Sequence, residues 1–182
     1  MTTSTTKQTL SLKAQTAGAI LAMLSAVALP QLVHLLGGSM GVGTALGEML
    51  LPMHLPIILA GLLMGPYAAG IAGFLSPLIS FALTGMPMAA MLPFMMIELA
   101  VYGICAGVLR NVEMSDIPKV LMTQLAGRTI RGIAIITGFY CFNSVINPEI
   151  ILTSIKTGLV GIILQLILIP IIVSPLRKAD RN

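Results

Sequence analysis

Charge is what this sequence has least of. Asp, Glu, Lys and Arg make up 9% of its 182 residues, where a soluble globular domain carries about 25%. So few charged groups cannot cover a water-facing surface, which excludes a soluble globular enzyme. A mean hydropathy of +1.00 and a hydrophobic content of 57% exclude disorder as well, because a disordered chain combines low hydrophobicity with high charge.

Other scarcities narrow the chemistry. Tryptophan is absent and aromatics amount to 4%, which argues against a pocket that stacks a flat heterocycle. Cys105 and Cys141 fall at opposite ends of their apolar runs, roughly 25 Å apart at about 1.5 Å per helical residue, beyond disulfide reach. With two His in the chain, no metal-ligand set emerges. There is no GxxxxGK[ST] phosphate loop, so the chain does not itself hydrolyse ATP. The net charge of +4 sits at the termini and in one loop, a pattern of membrane orientation and not of nucleic-acid binding.

What is abundant is apolar sequence, punctuated by Gly, Pro and charge. The runs predict an all-α integral membrane bundle of six transmembrane helices in one domain, at about 12–33, 49–64, 67–83, 88–109, 120–142 and 150–173. If the helices alternate, Lys7, Lys13, Arg110, Lys119, Arg177, Lys178 and Arg181 all fall on one side, which predicts that both termini are cytoplasmic. The polar N-terminus, MTTSTTKQTL, runs into the first span without a small-residue cleavage site and does not read as a removable signal peptide.

Charges inside spans are costly and mark function or pairing. Glu98 and Arg128 sit midway along antiparallel spans, so they are expected to meet as a structural ion pair. Arg131 and Lys156 then have no carboxylate inside a span. Lys156 can snorkel to the headgroups, whereas Arg131 suits a ligand or a wet cavity. The expected substrate site is therefore external, among spans four to six, roofed by the loop around Gly37 to Gly47. It uses Arg131, Lys156, Met91, Met95, Tyr102, Asn143 and Asn147. No second carboxylate stands at depth to make an acid–base pair, so no catalytic residue and no enzyme is expected.

Small residues form the other pattern. Ala14, Gly18, Ala22 and Ala26 recur every fourth residue on span one, a ladder that admits close helix approach. A partner-docking face and ordinary packing within the bundle both account for it. Ala60, Gly61, Ala68, Ala69, Ala72 and Gly73 are expected to let spans two and three pack closely at their hairpin.

The stretch from Leu50 to Ser80, LLPMHLPIILAGLLMGPYAAGIAGFLSPLIS, joins this ladder and the six-span plan in resembling the substrate-binding S components of energy-coupling-factor (ECF) vitamin transporters. His54, Pro56, Ala60, Gly61, Gly65, Pro66, Gly70, Gly73, Ser76 and Ser80 carry the likeness, which covers nearly the whole chain. The family's Ala-x3-Ala motif on span one appears strictly only as Ala22 and Ala26, with Gly18 in place of Ala one turn earlier. The resemblance implies a multi-pass protein of a bacterial cytoplasmic membrane that holds a vitamin on the external side. Its implied partners are an ECF transmembrane coupling subunit and two ATPase subunits, so ATP is used by the partners and the chain needs no cofactor. LPMHLP and the Gly-rich first loop look most like the branch that includes a cobalamin carrier, with pantothenate and hydroxymethylpyrimidine carriers as alternatives. A membrane assembly subunit with no transport role is the rival reading from another class.

Overall fold

A computed structural model describes residues 11–179; Lys7 and Arg181, which enter the orientation argument, lie outside the described residues, as do the side chains of Arg177 and Lys178. The chain is all helical. In order it forms α1 (Leu12–Ser39), α2 (Ala45–Leu50), α3 (His54–Met64), α4 (Pro66–Thr84), α5 (Leu92–Leu109), α6 (Asp116–Phe142) and α7 (Ile150–Ala179).

The punctuation of the helices follows from local chemistry. The Ser11 side chain accepts from the Ala14 amide at 3.3 Å and caps α1. Between α2 and α3 the expected second span is broken. Leu51 takes a left-handed conformation at φ 51°, and Pro52 follows, which has no amide hydrogen to continue a helix. At the next corner Gly65, at φ 107°, turns the chain and Pro66 opens α4, where a missing amide hydrogen costs nothing.

Five stretches are long and apolar enough to cross a membrane: Leu12–Ser39, Ala45–Met64, Pro66–Thr84, Leu92–Leu109 and Ile150–Leu176, with mean hydropathies of 2.0, 1.7, 1.5, 1.9 and 2.6. The second of these is the broken α2–α3 pair. Helix α6, 27 residues long, has the length but carries Lys119, Gln124, Arg128 and Arg131 and is not among the five.

Burial is arranged as in a membrane bundle. Leu and Ile dominate the exposed surface, including Leu21, Leu24, Ile163 and Ile167, while Ser76, Ser80, Glu98, Thr123, Gln124 and Gln165 are buried. Helix α5 is the central post, packed between α3, α4 and α6. Its seam with α4 is built from glycine. A Cβ on Gly73 would strike the Leu99 carbonyl, and one on Gly103 the Ala69 carbonyl; Gly61 of α3 faces Ala106 in the same way. Gly61 and Gly73 thus serve contact with α5, while α3 and α4 also pack on each other.

The ladder on α1 also turns inward. Ala26 is 0% and Ala22 6% exposed, and Gly18 faces the Met64 side chain. Ala14, near the start of the helix, is half-buried. The stripe packs inside this chain and does not present a free docking face. The physical reason is that α1 runs beside α3 and α4, and only small residues let it approach them.

Candidate functional site

One end of the bundle carries Arg110 and Lys119. There the Lys119 ammonium donates to the Arg110 carbonyl at 3.1 Å, close to the α3–α4 corner at Gly65 and Pro66. At the other end Gln31 meets Thr84 and His34 lies against Gly47. A cavity of about 380 Å³ sits at this second end.

Its floor is a buried polar cluster assembled from three helices. On α5, Glu98 and Tyr102 are one turn apart, and the Tyr102 hydroxyl donates to Glu98 Oε1 at 2.9 Å. From α6, Arg131 Nη1 donates to Glu98 Oε2 at 3.2 Å. His54, the first residue of α3, places its Nε2 3.7 Å from Glu98 Oε1, a close approach short of a hydrogen bond. Its ring tilts against that of Tyr102, with centroids 5.1 Å apart. Glu98 is 0% exposed, so its charge is tolerated only because Arg131 and Tyr102 hold both oxygens.

The register that produces this cluster has a steric origin. Gly127 leaves the notch on α6 that the Tyr102 ring fills. Because α5 and α6 are antiparallel, one turn back from Tyr102 on α5 stands opposite one turn forward from Gly127 on α6. Those positions are Glu98 and Arg131. The ion pair is therefore Glu98–Arg131, which corrects the expected Glu98–Arg128 pair. Arg128 instead lines a small crevice between α6 and α7, beside Arg131 and Ser154, and its Nε is buried without a partner.

The cavity above the floor draws on more of the chain than spans four to six. Pro30, Gln31 and His34 come from α1; Thr44, Gly47 and Glu48 from the start of the α2 region; Leu51, Pro52 and Met53 from the break. The loop from Met86 to Met91 and the hydroxyl face of α7 at Thr153, Ser154 and Thr157 complete it. Of the residues expected from sequence, Arg131, Met91 and Met95 line the space. Tyr102 lies beneath it, behind Glu98. Lys156, Asn143 and Asn147 are exposed and do not line it. Asn143 instead ends α6 at φ 52°, and the Asn147 side chain accepts from the Glu149 amide at 2.9 Å ahead of α7.

Sequence reasoning missed His34, Gln31 and the α7 hydroxyls. The last had a visible signal: Thr153, Ser154 and Thr157 share one face of an otherwise apolar helix. The break is held in place by a buried amide chain, in which Gln124 donates to Gln165 at 3.1 Å and Gln165 donates to the Leu51 carbonyl at 3.2 Å. That carbonyl also accepts from the His54 amide at 3.1 Å, so Gln165 adds a second bond that ties α7 to the break.

Ser76, on the helix that follows that of His54, donates to the Ala72 carbonyl at 2.6 Å. Among the described residues no group of three or more His, Cys, Asp or Glu is placed to hold a metal ion. Cys105 and Cys141 are both free. Comparison with family models, with curated proteins and with solved structures finds no match.

Proposed function

We propose that this chain is the ligand-capturing subunit of a membrane importer, of the S-component type, working with a transmembrane coupling subunit and two ATPase subunits. The observation that carries the reading is the cavity: about 380 Å³, open at one end of the bundle and floored by the buried Glu98–Arg131 pair. Apolar walls with a few convergent polar groups are the usual make-up of a small-molecule site.

Orientation supports capture from outside. The cavity lies at the end away from Arg110 and Lys119, and basic residues mark the cytoplasmic side. All six of the expected spans cross the membrane on this reading, α6 with Arg128 and Arg131 turned toward the crevice and the cavity. The location is a bacterial cytoplasmic membrane.

The volume bears on the choice of vitamin. A cavity of this size holds a ligand of roughly a few hundred daltons, which favours pantothenate or hydroxymethylpyrimidine over the bulky cobalamin. With the small-residue ladder packed internally, the coupling subunit meets α1 on its outer face, where Leu21 and Leu24 are exposed.

Native mass spectrometry of the protein purified without added ligand tests the reading. A co-purifying small molecule that is lost when Met91→Trp fills the cavity is expected. An unoccupied protein that binds none of these vitamins in titrations would overturn it.

A further inference from the structure

Resting on the capture reading, we infer that the cavity selects a monocarboxylate whose body carries hydroxyl or amide hydrogen-bond donors. The first argument is a charge count around the floor. Arg128 and Arg131 lie three residues apart on one face of α6 and line a common crevice. Glu98 is the carboxylate within ion-pair distance of Arg131, and among the described residues none lies that close to Arg128. Glu98, Arg128 and Arg131 together therefore carry one positive charge more than they neutralise, inside a bundle where an uncompensated charge is expensive.

Hydrogen-bond capacity is left over in the same place. The Nε atoms of both Arg128 and Arg131 are buried without a partner, and Arg131 faces the cavity. Glu48 also lines the cavity, but its carboxylate is exposed to water, so the buried set takes one added negative charge and a second would overshoot it. This is the reason for a single carboxylate and not a phosphate dianion.

The second argument concerns the body of the ligand. Thr153, Ser154 and Thr157 each spend their hydroxyl hydrogen on a backbone carbonyl one turn back, those of Glu149, Ile151 and Thr153 respectively. What they can still offer is oxygen lone pairs. A wall of acceptors calls for donors on the ligand. Met91 and Met95, which line the same space, supply adaptable apolar contact.

Paired probes that differ only at one end make the test: pantothenate, a hydroxylated amide monocarboxylate, and pantothenol, in which a neutral alcohol replaces the carboxylate. Calorimetric titration of the purified full-length protein is expected to show pantothenate binding about 10- to 150-fold more tightly, the worth of a hydrogen bond to a charged group. Arg128→Gln should collapse that ratio toward one while leaving the protein folded, and Arg128→Lys should keep it. Thr153→Val with Thr157→Val should weaken both probes equally.

Equal affinity for the two probes, or a neutral molecule found in the protein by native mass spectrometry, would overturn the monocarboxylate inference and leave ligand capture standing. Stabilisation by sodium chloride alone as large as that by pantothenate would make this a halide site, with the same consequence. If neither probe binds and no small molecule of any charge travels with the protein, capture itself fails and the inference falls with it.

Discussion

Arg131 reaches across from α6 to Glu98 on α5, Nη1 to Oε2 at 3.2 Å, and it does so because the Tyr102 ring one turn away is seated against Gly127. Packing of an aromatic ring against a glycine thus decides which of two arginines neutralises the buried carboxylate. The pair in turn sets the floor of the cavity.

The two members of that pair should be strongly coupled. Glu98→Gln and Arg131→Gln are each expected to destabilise the protein by about 3–5 kcal/mol, since each leaves a buried charge alone. The double variant should cost much less than the sum. Denaturation of the four proteins in detergent gives the coupling energy, and the parallel cycle with Arg128 in place of Arg131 should give a smaller one.

Enlarging the α1 ladder should harm the isolated subunit. Ala26 is fully buried, so Ala26→Leu overpacks the seam and is expected to cost about 1–3 kcal/mol. A thermal melt of the purified chain, with no partner present, checks this. An unshifted melt combined with lost transport would return the ladder to a docking role.

Gly73→Ala should be worse than its size suggests. The added methyl meets the Leu99 carbonyl, which is backbone inside a helix and cannot swing aside as a side chain can. Reduced folded yield is expected, with a melting loss larger than that of Gly38→Ala, where the same methyl meets open space.

Gln165→Leu should loosen the break between α2 and α3. It removes one of the two bonds to the Leu51 carbonyl, which keeps the His54 amide. It also strands the Gln124 amide, and an unsatisfied buried polar group costs about 1–3 kcal/mol. Because Leu51, Pro52 and Met53 line the cavity, ligand affinity should fall along with stability. Hydrogen exchange ought to rise first across residues 45–54. Lys156→Ala, by contrast, changes an exposed side chain outside the cavity and should leave affinity within about twofold.

The sequence by itself determined that the chain is helical, that its surface suits lipid, and where most helices stop. These are local matters. Hydropathy is a sum over neighbours in the chain, and a Gly-Pro corner such as Gly65-Pro66 acts through its own φ and its own missing amide hydrogen. Polar residues at depth were equally legible, and Arg131, Met91 and Met95 do line the cavity.

Tertiary structure decided the rest, because helix rotation and register depend on residues far apart in sequence. Arg128 and Arg131 are equivalent by depth within one turn, and only the seating of Tyr102 against Gly127 separates them. Asn143 and Asn147 looked like ligand groups because they are polar and near one membrane face; the turn they occupy uses them for its own backbone. The ladder of Ala22 and Ala26 is as suitable for an internal neighbour as for an external one, and small size alone carries no address. What gave it one was the path of α1 beside α3 and α4, which brings the stripe into the core and leaves the leucines outside.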